Sequence, residues 1–147
     1  MNGKLKKTND DTIVIGCGQL GANLARVLSD AGRSVLILDR DKSAFRRLGP
    51  SFGGLAVTGD GTDLDTLRET GMERADTVIA VTSNDNANIL IAQAARELFD
   101  VSHIIARLYD PERECVYREL GVATICPLLL SAKEIDKLLF PQREEIA

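Results

Sequence analysis

The chain has 147 residues, 44% of them hydrophobic and 27% charged, with a formal net charge of −4. These values are typical of a soluble globular domain with a sizeable core. The acidic balance argues against nucleic acid as a partner, because electrostatic binding to nucleic acid needs a basic surface. No apolar run approaches the roughly 20 residues that span a bilayer. Direct membrane insertion is therefore not expected, and the cytoplasm is the default location.

Composition and pattern divide the chain into three segments. Residues 1–10 carry positive charge without an apolar stretch and are expected to form a flexible leader rather than a signal peptide. Residues 11–127 alternate short apolar runs with helical patterns. Residues 128–147 hold a leucine-rich helical pattern, which either packs on the sheet of its own domain or docks on another subunit. The surplus of leucines favours the second alternative, an assembly element.

The alternation across residues 11–127 predicts the fold. Strands are expected at residues 13–15, 34–38, 55–57, 76–81, 103–107 and 123–125. Helical patterns lie between them, at residues 19–31, 42–48, 64–70, 87–99 and 111–120. Strands that alternate with helices pair in parallel through right-handed crossovers. The predicted fold class is α/β, a Rossmann-like doubly wound sheet of six parallel strands in the order 3-2-1-4-5-6 with helices on both faces.

The turn after the first strand, hereafter the glycine turn, has the pattern G-x-G-x-x-G and consists of Gly16, Cys17, Gly18, Gln19, Leu20 and Gly21. In a dinucleotide-binding turn the first glycine permits the tight exit from the strand. The second lets a pyrophosphate approach the backbone, and the third lets the helix lie close to the sheet. The helix also offers free N–H groups and a positive dipole end to phosphates. The motif alone is weak evidence, because such turns also occur without a ligand.

An acidic residue, Asp39, follows the second strand a little over twenty residues beyond Gly16. A carboxylate there can accept hydrogen bonds from both hydroxyls of an adenosine ribose, and it repels a 2′-phosphate. NAD or an adenosine nucleotide therefore fits better than NADP, although the neighbouring Arg40 weakens that exclusion. The alternative is a surface acid at the end of a strand.

Three further strand ends carry polar residues that would meet at the same crevice. Gly59, Asp60 and Thr62 follow the third strand, where they either receive an adenine or form only a turn and helix cap. Thr82, Ser83 and Asn84 follow the fourth strand and suit the ribose or phosphates in the second half of a ligand. Arg107 ends the fifth strand, and its fork of donors suits phosphate recognition.

No catalytic or metal-ligating constellation is evident in the sequence. The three cysteines, at positions 17, 115 and 126, are too scattered for a disulfide framework or a zinc site. Cys17 is interpreted as a small residue that fits the glycine turn rather than a redox thiol. His103, the sole histidine, is interpreted as structural. The predicted site is therefore one for binding without chemistry, and the chain is not expected to be an enzyme.

Taken together, the motifs resemble the regulator-of-potassium-conductance N-terminal domain, also called TrkA-N or KTN. The pieces that carry the resemblance run in order over residues 11–126: Gly16–Gly21 with Ala25, Leu36–Asp39, Gly59–Asp63, Ala75–Asp76, Thr82–Asp85 with Asn88, and Ile105–Pro111. The resemblance implies a cytoplasmic subunit or domain, peripheral to the inner face of the membrane, that regulates a potassium channel or transporter. It implies NAD(H) or AMP, ADP or ATP as the ligand, and assembly as a homodimer or larger ring.

The family motif implies a role for each matching residue. Phosphates would lie on the glycine turn, Asp39 would hold the ribose, and Asp60 with Thr62 would surround the adenine. Thr82, Asn84 and Arg107 would face the rest of the ligand. Two departures bear on this. Gln19 stands where some ATP-sensing relatives have arginine, so discrimination of a γ-phosphate through this position is not expected. This sequence also does not include the second, C-terminal ligand-binding domain of many relatives, and three alternatives stay open: a single-domain member, a fragment, or a subunit whose missing half another protein supplies.

Two other functions stay open on the residues alone. One is a small NAD-dependent oxidoreductase, for which no proton donor is evident. The other is a non-catalytic Rossmann interaction domain, in which the glycine turn has no ligand.

Overall fold

The computed structural model describes residues 11–143, and the leader expected at residues 1–10 lies outside them. Six parallel strands form one sheet in the order 3-2-1-4-5-6, as the alternation predicted. The strands are β1 (Asp11–Ile15), β2 (Ser34–Asp39), β3 (Leu55–Thr58), β4 (Thr77–Ala80), β5 (His103–Arg107) and β6 (Ala123–Ile125). The helices are α1 (Gln19–Asp30), α2 (Leu64–Glu69), α3 (Asp85–Glu97), α4 (Glu114–Glu119) and α5 (Pro127–Leu139).

The sheet is buried on both faces, which is why its central strands are almost wholly apolar. On one face a core cluster joins Ile13, Ile15 and Val78 to Ile91 of α3 and Tyr117 of α4. On the other face a second cluster includes side chains of β1, α1 and the segment 42–48. The two layers of helices cover opposite faces, so the doubly wound prediction is confirmed.

Local hydrogen bonds shift several element boundaries from their expected positions. The segment 42–48 is a 3₁₀-helix, begun by Asp41, whose Oδ1 accepts from Ser43 N at 2.9 Å. Helix α3 starts two residues early because Asn84 Oδ1 accepts from Ala87 N at 3.0 Å. The expected helix 111–120 divides into a 3₁₀ turn at Pro111–Arg113 and α4.

Helix α5 forms as the leucine pattern predicted, but it buries none of its side chains within the described chain. Its leucines are half to three-quarters exposed, with Leu138 the most exposed at 74%. Of the two alternatives for this helix, packing on its own sheet is therefore not observed. Among residues 11–143, no helix combines the length and the apolar character that a bilayer crossing requires.

Tyr117 makes the stability of the core depend on pH. Its side chain is fully buried, and its hydroxyl donates to Asp85 O at 3.2 Å. Burial, then the negative charge of Asp85, raises the pKa of Tyr117 to about 12. An unfolded tyrosine ionises near pH 10. The stability that this raised pKa gives is therefore fully present below about pH 10 and is lost as the pH rises towards about 12.

We expect Tyr117→Phe to cost about 1 kcal/mol at neutral pH, because one hydrogen bond is lost. Above pH 10 the free energy of unfolding of the wild type should fall towards that of the variant. Urea denaturation at a series of pH values measures both quantities. The matched change at the 44% exposed Tyr109, Tyr109→Phe, should leave stability at neutral pH unaltered. A difference between wild type and Tyr117→Phe that stays constant to pH 12 would contradict the prediction.

Candidate functional site

The three glycines of the glycine turn have three different surroundings. Gly16 has φ +110°, and a Cβ there would lie 2.7 Å from Val81 O. A Cβ on Gly21 would lie only 1.8 Å from Gly16 O, so α1 approaches β1 as closely as it does only with glycine at this position. Gly18 differs from both, because a Cβ there would meet nothing within 4 Å. The fold therefore requires the first and third glycines, whereas the second leaves open space.

That open space belongs to a cleft of about 340 Å³ at the carboxyl ends of the strands. The volume is within the range of small-molecule sites. Twelve of the residues predicted for the site line the cleft together: Gly16, Cys17, Gly18, Asp39, Arg40, Gly59, Asp60, Thr62, Thr82, Ser83, Asn84 and Arg107. The sheet order brings them together because β1 and β4 are neighbours at the point where the strand order reverses.

Three predicted residues do not line the cleft. Gln19 is exposed at the first position of α1, and Leu20 packs against the core cluster on the α1 side of the sheet. Gly21 is buried against Gly16. The side chains of Gln19 and Leu20 do not line the cleft, because the helix has already begun at residue 19. The free backbone N–H groups of this first turn form the positive end of the helix dipole.

Asp39 is held rigidly between β2 and the glycine turn. Its Oδ2 accepts from Cys17 N at 2.7 Å, and its Oδ1 accepts from Asp41 N at 2.8 Å. A carboxylate has about four lone-pair positions, so each oxygen can accept one further donor. The carboxylate is thus fixed at the cleft wall with capacity for two more hydrogen bonds, such as those from a ribose diol.

Asp60 and Thr62 form a compact turn after β3. Asp60 Oδ1 accepts from Thr62 Oγ1 at 2.6 Å and from Thr62 N at 2.9 Å. These hydrogen bonds, that of the side chain first, hold the pKa of Asp60 below its usual value, so the carboxylate is charged at neutral pH. The cap of α2 is Asp63, whose Oδ1 accepts from Asp65 N at 2.9 Å. The turn and helix cap are therefore present as one alternative expected, and Asp60 also lies on the cleft wall.

A buried asparagine, Asn88, organises the other half of the cleft. Its Oδ1 accepts from Thr82 Oγ1 at 2.7 Å and from Thr82 N at 3.0 Å. Its Nδ2 donates to Arg107 O at 3.0 Å and to Thr82 O at 3.2 Å. Asn88 is 0% exposed and joins the ends of β4 and β5. It was absent from the predicted site residues, and the only signal for it in the sequence is its place in the family motif.

Arg107 presents a buried donor with no protein acceptor. Its Nη2 donates to Val81 O at 2.8 Å and to Thr82 O at 3.0 Å. The guanidinium carbon lies 4.9 Å from the centre of the Tyr109 ring. Its Nε, however, is buried and has no hydrogen-bond partner among the described residues. A buried donor without a partner is uncommon in folded proteins.

The segment 42–48 adds cleft residues that sequence reasoning missed, chiefly Arg47, whose Nη1 donates to Cys17 O at 3.3 Å. Cys17 Sγ in turn lies 3.4 Å from Ala44 O. Burial, then the charge of Asp39, raises the pKa of the Cys17 thiol, which Arg47 partly opposes. The thiol is protonated and buried, which agrees with its interpretation as a small residue of the turn.

His103 is exposed at the start of β5, at the opposite end of that strand from Arg107.

We expect Asn88 to contribute strongly to the stability of the fold, because its side chain joins the ends of β4 and β5. Asn88→Ala leaves the N–H of Thr82 and the carbonyl of Arg107 without their partner. We expect the free energy of unfolding to fall by about 2–4 kcal/mol, since each buried group left unpaired costs about 1–3 kcal/mol. Urea denaturation measures the loss. Asn23→Ala, at an exposed position of α1, is the matched control and should change stability by less than about 0.5 kcal/mol. Equal effects of the two substitutions would contradict a special role for Asn88.

The sheet order, the glycine turn and the cleft beside it define a Rossmann-like α/β domain. Residues 12–127 match the model of the TrkA-N domain family. The chain belongs to this family, and the resemblance seen in the sequence is confirmed.

Named relatives agree with the family match. The chain is 47% identical over 133 residues to the Trk system potassium uptake protein TrkA of Streptomyces coelicolor, covering 90% of this chain and 60% of that protein. It is 30% identical to the TrkA homolog of Methanothermobacter thermautotrophicus over 86% of this chain and 59% of that protein. The chain thus spans about three-fifths of the length of these relatives.

A similar solved structure is the NAD(P)-binding domain of an exopolyphosphatase-related protein from Archaeoglobus fulgidus. It has a TM-score of 0.72 and 30% identity, and the match covers 87% of this chain and 96% of that one.

Proposed function

We propose that the chain is a nucleotide-binding regulatory module of a potassium transport system, with NAD(H) or an adenine nucleotide as its ligand. The observation that carries this proposal is the open space at Gly18, in a cleft that also holds the fixed Asp39 carboxylate. A glycine that no neighbouring protein atom requires, beside a helix N-terminus, is what a phosphate approaching the backbone demands. The similar Archaeoglobus domain is NAD(P)-binding, which supports the same ligand class.

Different residues of the cleft would contact the two ends of such a ligand. Asp39 would accept from the hydroxyls of the adenosine ribose, and the turn of Asp60 and Thr62 would border the adenine. A phosphate chain would lie along the glycine turn. The guanidinium of Arg107 and the polar loop of Thr82, Ser83 and Asn84 would meet the remaining phosphates, and in NAD(H) the second ribose.

The potassium partner is inferred from the relatives. The Streptomyces and Methanothermobacter proteins are named for Trk potassium uptake. We infer a membrane potassium channel or transporter as the partner of this chain, which places it in the cytoplasm at the inner face of the membrane. In this proposal residues 11–127 bind the nucleotide. The segment 128–147, with the exposed apolar side chains of α5, assembles copies into a homodimer or larger ring.

Regulation would act through a population shift, because a ligand that bridges the cleft favours the domain arrangement to which it binds more tightly. The cleft includes no histidine, lysine or tyrosine that would serve as a proton donor among the residues lining it. An oxidoreductase therefore has no specific observation in its favour, and regulation without catalysis is the better proposal.

A direct test is isothermal titration of the whole chain with NADH, NAD, AMP, ADP and ATP. Gly18→Ala adds a methyl group to the open space, so affinity for the bound nucleotide should fall by at least about tenfold through steric exclusion. The melting temperature should not fall, because the new Cβ meets no protein atom within 4 Å. The contrasting variant Gly21→Ala should lower the melting temperature. Failure of all five nucleotides to bind at high micromolar concentration would contradict the proposal and favour an interaction domain.

Asp39→Asn tests the ribose contact. The amide loses the charge and one of the two acceptor oxygens, so we expect affinity for the nucleotide to fall about tenfold. Asp30→Asn, at an exposed position at the end of α1, changes charge by the same amount and should leave affinity unaltered. Titration calorimetry of both variants makes the comparison. Equal affinities for wild type and Asp39→Asn would rule out the proposed contact.

A further inference from the structure

The cleft has an imbalance of charge near the glycine turn. Three carboxylates line it on this side, those of Asp39, Asp41 and Asp60. The first turn of α1 contributes no charged side chain, since its residues begin with Gln19 and Leu20. A phosphate that lies on this turn would therefore be bound more tightly with a cation from another element, because the helix dipole alone provides only about half a unit of charge.

Three arginines line the cleft, and their positions differ. Arg107 lies at the ends of β4 and β5, where its Nη2 is engaged by the carbonyls of Val81 and Thr82. Arg40 follows β2, and its charge contributes to lowering the pKa of Asp60 on the β3 side. Arg47 alone among the three donates to the glycine turn itself, with Nη1 at 3.3 Å from Cys17 O.

The segment that carries Arg47 is fixed against that turn. Ala44 and Leu48 are buried, and Ala44 O lies 3.4 Å from Cys17 Sγ. Residues three apart in a 3₁₀-helix lie one above the other. Arg47 therefore stands on the same face as Ala44, the face that contacts the turn. Cys17 O takes one of the five guanidinium donors, which leaves others for a phosphate oxygen.

We propose that Arg47 is a specificity-determining residue that binds a phosphate of the 5′ chain on the glycine turn and makes the cleft prefer adenosine phosphates to adenosine. This assignment rests on the proposed function, because it concerns the same cleft. The arginine supplies the charge that the turn itself lacks at Gln19. Its role is in selecting the ligand, and the fold does not depend on it, since the side chain is exposed.

The experiment is titration calorimetry of the whole chain with adenosine, AMP and ADP, for wild type, Arg47→Ala and Arg47→Lys. Arg47→Ala should weaken AMP and ADP by about tenfold, the usual effect of losing one charge-assisted hydrogen bond. Adenosine should change by less than about twofold. Arg47→Lys should keep part of the phosphate preference, because it retains the charge without the planar fork. The matched control is Arg46→Ala, which removes an exposed neighbouring arginine whose Nε donates to Ser43 O.

The outcomes separate this assignment from the proposed function. A parallel loss for adenosine and ADP in Arg47→Ala would overturn the assignment and indicate a general effect on the cleft. The same loss in Arg46→Ala would overturn it in favour of diffuse surface charge. Titration of 2′-AMP as a fourth ligand adds a further outcome: weakening of 2′-AMP by Arg47→Ala, with 5′-AMP unchanged, would also overturn the assignment by placing the arginine at the ribose. If the wild-type chain binds none of AMP, ADP, ATP and the nicotinamide nucleotides, the proposed function fails and the assignment fails with it.

Discussion

The cleft depends on how closely α1 approaches the end of β1. The approach leaves no room for a Cβ on Gly21, which would lie 1.8 Å from Gly16 O. This contact aims the N-terminus of α1 across the sheet edge and places Gly18 at the open end of the turn. It also brings Cys17 N within 2.7 Å of the Asp39 carboxylate, which fixes the end of β2 relative to β1. One backbone contact thus sets both the helix dipole and the acidic wall.

The other half of the cleft, at the ends of β4 and β5, is held mainly by side-chain hydrogen bonds. The loop after β4 passes close to the backbone of Gly16, where a Cβ would lie 2.8 Å from Thr82 N, and the side chain of Asn88 ties that loop to the end of β5. One helical turn earlier, Asp85 accepts from the backbone N–H groups of Tyr109 and Asp110 at 2.8 and 3.0 Å. Contacts made by a ligand with Thr82 would therefore reach the connection that leads to α4 through a short series of hydrogen bonds.

The sequence predicted the order of the strands and the position of the cleft more completely than it predicted which side chains line the cleft. Strand order followed from alternation, and the separate tasks of Gly16 and Gly21 followed from the motif, because both are properties of the backbone. Arg47 was missed because a short 3₁₀-helix has no clear periodicity from which to predict its facing side. Gln19 and Leu20 were included with their motif, although their side chains do not line the cleft. The leucine pattern predicted helix α5. That its leucines are exposed could be seen only in the structure, because the pattern does not say what the helix packs against.

The way the cleft arginines are held explains how an acidic chain can offer an anion site. Arg107 is fixed by the carbonyls of Val81 and Thr82, and Arg47 by the carbonyl of Cys17. The ion pairs found within residues 11–143 lie elsewhere, for example Arg68 with Asp65. A carbonyl holds a guanidinium in place without cancelling its charge, whereas a carboxylate would do both. These arginines are therefore positioned before a ligand arrives and retain their charge for it, so the net charge of the chain does not decide what the cleft binds.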